Sequence, residues 1–110
     1  MVVAATTPRT PRRILVATDM SEGAGVAVAR AAQLAREHDA HLTALHVVPA
    51  GIDVELADCA QAVLEAHLTD CIDSTPVDIV IRRGSAAYEI AAEAADRAAD
   101  LVAVGAHGAH

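Results

Sequence analysis

The sequence predicts an α/β domain, an open doubly wound parallel sheet with helices on both faces. Three observations predict it. Four short apolar runs, of the kind parallel strands show when both sheet faces are covered, alternate with three helical stretches. Every connection between runs is long enough for a helical crossover, so the order βαβαβαβ favours parallel pairing. Finally, 27 of the 110 residues are alanine while Tyr88 is the one aromatic, which suits slim helices packed on Val/Leu/Ile strands.

Residues 1–12 carry two prolines and three threonines with no hydrophobic period, and read as a flexible N-terminal tail before a domain over 13–110. Ile14–Thr18 is the first strand. The turn-rich segment Asp19–Gly23 follows, with Ser21 placed to cap the next helix. From Gly25 to about His38 the period is helical: Val28, Ala31, Ala32 and Ala35 share one face, and Arg30, Gln33 and Glu37 point outward. Leu42–Val48 is the second strand, stopped by Pro49-Ala50-Gly51. A second helix over about 54–71 sets Leu56, Ala60, Val63, Leu64, His67 and Cys71 within one stripe. After Ser74-Thr75-Pro76, Val77–Ile81 is the third strand. Arg82-Arg83-Gly84-Ser85 then turns into a helix over about 86–98 with Ser85 as its cap. Leu101–Val104 is the fourth strand, and Gly105–His110 follows it.

The formal charge is −7, and every basic residue is Arg. An acidic surface disfavours nucleic acid and anionic membrane as partners. No apolar run approaches the roughly 18–20 residues of a membrane-spanning helix, and residues 1–13 hold no apolar signal-peptide core. The expectation is a cytoplasmic protein. Cys59 and Cys71 lie twelve residues apart in one predicted helix, about 18 Å along its axis. A disulfide between them is excluded by reach, and both read as small apolar members of the stripe. His67 and Cys71 supply two metal ligands where a structural zinc takes four, so no metal is expected. Glu55, Asp58, Glu65, Glu89, Glu93 and Asp96 read as solvated helix faces, and His46 as a satisfied strand histidine.

In an open doubly wound sheet, ligands sit beyond the carboxyl ends of the strands, where strand order reverses. With the predicted strands in order 3-2-1-4, the reversal lies between the first and the fourth. Asp19–Gly25 and Gly105–His110 then face each other there. Both are glycine-rich, so backbone N–H groups can approach an anion, and Ser21 opens a helix N-terminus. Arg82 and Arg83, near the end of the third strand, are in reach of an anion as well. Neither a Walker A nor a Gly-x-Gly-x-x-Gly sequence is present. No nucleophile–base constellation is legible, so no catalytic residue is expected.

The segments ILVATDMSEGA, LHVVP and RRGSAAYEIAAEAADRAADLVAVGAHG, in that order and spacing, resemble the universal stress protein family over about 13–110. The resemblance implies a stress-response module, not an enzyme, with ATP (with Mg) or a related adenine nucleotide as cofactor and a homodimer or homo-oligomer as assembly. It further implies that Asp19 contacts the adenosine end, backbone at Val47 meets adenine, and Gly105 and Gly108 begin a phosphate loop with Ser21 as helper. The family's Gly-x-x-Gly is followed nine residues on by Gly-Ser/Thr. These 110 residues lack that second half, as well as the C-terminal helix and last strand. The expectation is weakened ATP binding. The fourth strand should present an unpaired edge, leading to self-association or marginal stability. Two alternatives stand beside this reading: an interaction or dimerisation module of the same fold that binds no nucleotide, and a slow ATP hydrolase.

Overall fold

In a computed structural model, residues 2–5, 10–51, 54–72 and 74–105 are described, with side chains over 10–51, 59–72 and 74–104. The elements are β1 (Val2–Ala5), β2 (Arg13–Thr18), α1 (Glu22–His38), β3 (His41–Val48), α2 (Val54–Thr69), β4 (Asp78–Arg83), α3 (Ala86–Asp96) and β5 (Leu101–Gly105). They build one five-stranded sheet in the order β1-β5-β2-β3-β4. The four strands from β2 to β5 are parallel and take the predicted 3-2-1-4 order.

The fifth strand corrects the reading of a tail at residues 2–5. Val2–Ala5 pairs antiparallel with β5, in the register Val2↔Val104 to Ala5↔Leu101. An open apolar edge is a template for any short β-prone segment, and here the chain's own Val-Val-Ala-Ala meets it. The edge on which self-association was expected is therefore already paired within the chain.

The period-two alternation of the strands divides the interior into two layers. Ile14, Val16, Leu42, Ala44, Leu101 and Ala103 face α1 and α2, where Val28, Ala31, Ala32, Ala35, Leu64 and Leu68 cover them. Leu15 and Leu45 face the other way, packed with Val47, Val80 and Val102 against Ile90 and Ala94 of α3. Alanine dominates the inner face of α1, which lets its backbone lie close to the sheet. The helix is capped by Ser21, whose Oγ accepts Ala24 N–H at 3.2 Å. It ends at Asp39 in the left-handed region, with the cap N–H returned to Ala35 O.

α2 presents a different stripe from the one expected. Ala60, Leu64 and Leu68 are buried, whereas Val63 is 51% exposed and Cys59 also faces solvent. The side chain of Leu56 lies outside the described residues. β4 continues through Arg82 and Arg83, where the sequence predicts a turn, because both pair with β3 at Val47 and Val48. Ser85 occupies the N-cap of α3 but makes no side-chain capping bond.

Glu93 corrects the view of α3's acidic face as uniformly solvated. It is buried, held by Arg82 Nη1 at 2.8 Å and paired with Arg97 Nε. Arg82 also meets Glu89 at 2.8 Å, so the guanidinium clamps α3 to β4.

Candidate functional site

Beyond the carboxyl ends of the strands, on the face covered by α3, lies a cleft of about 160 Å³. Its floor follows from sheet register. Ala17 pairs with Leu45 on one side and with Val104 on the other, so a methyl group sits between two larger side chains. Ala86 and Ile90, one helical turn apart on α3, form a wall, and Val47 closes the β3 side. Asp19 stands exposed at the rim, where its Oδ1 accepts Ser21 N–H at 2.9 Å.

Beneath this rim, Thr18 ends β2 with its side chain on the α1/α2 face, 4% exposed. Its Oγ1 accepts Met20 N–H at 3.0 Å and lies 3.1 Å from His67 Nε2 of α2. Its carbonyl lies 2.8 Å from His46 Nδ1. A carbonyl only accepts, so His46 Nδ1 carries the proton, as the reading of a satisfied strand histidine requires. Just past the end of α2, burial, with the Asp70 carboxylate adding to it, pushes the Cys71 thiol above its ordinary value.

The predicted site residues divide accordingly. Asp19 and Val47 line the cleft together, and Gly105 lies beside Thr18 in the β2–β5 ladder. Ser21 is next to the rim but commits its Oγ to capping α1. Gly108 lies outside the described residues. Arg82 is engaged by Glu89, Glu93 and, at 3.6 Å, Asp96, instead of awaiting an anion. Burial opposes its charge, but the hydrogen bonds and negative charges of Glu89 and Glu93 more than offset that, and its pKa lies above the ordinary value. Sequence reasoning missed Ala17, Ala86 and Ile90. The i, i+4 spacing of the last two marked a helix face, and only the topology brings that face to the strand ends.

A larger cleft of about 380 Å³ opens at the opposite end of the sheet. Its charged groups face one another: His41 meets Asp78 at 2.9 Å, Arg97 lies 3.5 Å from Asp78, and Arg13 donates to Arg97 O at 3.1 Å. It lies away from the strand-order reversal. The smaller cleft has a mostly apolar floor and a polar rim, the composition of a site that holds a flat body by contact and orients it with a few hydrogen bonds. No group of three or more metal-ligating side chains occurs among the described residues. No helix among them is long and apolar enough to cross a membrane.

An open α/β sheet with a cleft at its switch point defines the class of protein: a small doubly wound domain with a cleft at the carboxyl ends of its strands. Residues 10–110 match the universal stress protein family, and the chain belongs to it. No curated protein sequence matches it. Among solved structures it is similar to protein Rv1636 from Mycobacterium tuberculosis H37Rv, at 23% identity over 94% of this chain and 77% of that one, with a TM-score of 0.74. It is also similar to universal stress protein UspA from Lactobacillus plantarum, at 26% identity over 94% and 82%, with a TM-score of 0.63. A universal stress protein solved in complex with cAMP shares the fold at 22% identity over 84% and 70%, with a TM-score of 0.67.

Proposed function

We propose that this chain is a stress-response module that binds ATP or a related adenine nucleotide in the cleft lined by β2, β3, β5 and α3. The observation that carries the reading is the floor at Ala17, a flat apolar slot at the switch point. The main chain beside it suits an adenine edge. Gly84 N–H donates to Val48 O, so Val48 faces β4, and the alternating main chain turns Val47 toward the β2 side. The β2–β3 register runs only to Ala17↔Leu45, so Val47 offers its N–H and C=O just past the ladder's end. Asp19, an acceptor, suits ribose hydroxyls. The phosphates, with the Mg ion that accompanies them in ATP, then lie toward the end of β5 at Gly105. A relative of the same fold, solved with cAMP, supports the adenine nucleotide class.

The test is thermal unfolding of the chain with and without Mg-ATP, ADP and cAMP, beside Ala17→Val and Asp19→Ala. A ligand at 100 times its Kd adds about 2.7 kcal/mol, worth roughly 10 °C for a domain of this size. Ala17→Val keeps the strand and fills the slot, so it should stay folded by circular dichroism and lose the shift. If the folded wild-type chain shows no shift with any of the three nucleotides, the reading fails and the interaction-module alternative takes its place.

A further inference from the structure

We propose that His67, on the far side of the sheet from the cleft, is a positioning residue for the cleft's rim. The route is one side chain long. Asp19 at the rim and Thr18 beneath it are consecutive, and they point to opposite faces of the sheet. Thr18 Oγ1 accepts the N–H of Met20, and Asp19 Oδ1 accepts the N–H of Ser21, so two side chains hold this turn. The turn needs holding, because Met20 sits at φ +65°, in the left-handed region that side chains other than glycine rarely adopt. His67 Nε2, at 3.1 Å from Thr18 Oγ1, fixes the hydroxyl in the orientation that receives Met20 N–H.

A second, independent observation points the same way. A Cβ placed on Gly25 of α1 would lie 3.3 Å from Cys71 Sγ and 3.7 Å from His67 Cε1. A Cβ there would stand in ordinary contact with His67 and press on Cys71 Sγ, four residues on, so the segment that carries both is packed against α1 at this point. The N-terminal part of α1, the end of α2 and the rim therefore form one assembly with His67 at its centre. Sequence alone placed His67 in a helix stripe. Its partner, 49 residues earlier in the chain, is brought to it by the fold.

The experiment has a ligand-free arm and a binding arm, of which only the second rests on the nucleotide reading. Amide exchange at Met20 and Ser21 is measured by NMR on the wild-type chain and on His67→Leu, His67→Gln, Thr18→Val, Thr18→Ser and Gly25→Ala. Met20 is expected to exchange up to about tenfold faster in His67→Leu and Thr18→Val, the scale of one net hydrogen bond. His67→Gln and Thr18→Ser, which keep hydrogen-bonding groups in place, should restore protection. Gly25→Ala, which leaves Thr18 and His67 intact, should also loosen Met20, and it decides the matter if His67→Leu does not fold. In the binding arm, Mg-ATP affinity should fall with Met20 protection and recover with it, variant by variant. Unchanged Met20 exchange in folded His67→Leu, or failure of His67→Gln to restore it, overturns the proposal. A wild-type chain that binds no nucleotide overturns the functional reading instead and leaves the exchange arm to decide the role of His67.

Discussion

Leu64 and Val63 are neighbours on α2 with opposite surroundings, and truncating each in turn measures how that helix is docked. Leu64 is 0% exposed in the layer shared by Ile14, Val16, Leu42 and Ala44, while Val63 is 51% exposed. Leu64→Ala removes three carbons, about 2.4 kcal/mol of transfer energy at roughly 0.8 kcal/mol each. The residual cavity raises the loss to about 3–5 kcal/mol. Leu68 and Ala60 are the other buried side chains of α2 among the described residues, so little is available to collapse into the gap. A loss of about 3 kcal/mol lowers Tm by roughly 12 °C in a chain of this length and removes a large fraction of a total near 5–15 kcal/mol. Val63→Ala should change stability by under about 0.5 kcal/mol, because exposed positions contribute little and alanine is the better helix former. Urea denaturation of the three chains, read by far-UV circular dichroism, gives both differences. A loss below about 1 kcal/mol for Leu64→Ala, or equal losses at the two positions, would refute the docking of α2 described above.

The cap of α1 allows a second test. Ser21→Ala should lose about 1 kcal/mol and Ser21→Asp should not, and calorimetry showing equal losses would mean that Oγ is not acting as a cap. In the ion-pair cluster, Glu93→Ala should lower Tm further than Glu89→Ala. Glu93 joins both Arg82 and Arg97 whereas Glu89 meets Arg82, so equal shifts in a melting series would break that assignment. The two thiols should also differ. Cys59 is exposed, and burial holds Cys71 above its ordinary pKa. Iodoacetamide at neutral pH should modify Cys59 first, with Cys71 gaining reactivity as pH rises and its thiolate forms. Peptide mass spectrometry showing Cys71 modified first would contradict its surroundings.

The parallel core was legible because each strand interior is a run of apolar residues too short for a helix, and because α1 sets Val28, Ala31, Ala32 and Ala35 apart from Arg30, Gln33 and Glu37. α2 was harder. Small and apolar residues surround most of its circumference, so the 3.6 period fits more than one stripe, and Val63 was placed where Leu68 belongs. β1 was invisible for a different reason: four residues carry almost no period, and their partner strand lies nearly a hundred positions away. Glu93 looks like any exposed glutamate until β4 brings Arg82 beneath it. At the site, the switch-point rule and the family resemblance pointed to Asp19 and Val47, which line the cleft. The Ala17 floor depends on register across three strands, and the Thr18–His67 contact on the packing of a helix, and neither leaves a mark in local sequence.

The pairing of the first strand with the last has a consequence for how the chain is made. A ribosome adds roughly 5–20 residues each second, so Val2–Ala5 emerges about 5–20 s before its partner exists. Everything from β2 to α3 can assemble in that interval, with each crossover closing on a strand already present. The β1–β5 ladder is the contact of greatest separation in the sheet and carries the highest loop-closure cost. The first of the five strands to be synthesised is thus the last to find its place, and that edge of the sheet is paired only once β5 has left the ribosome.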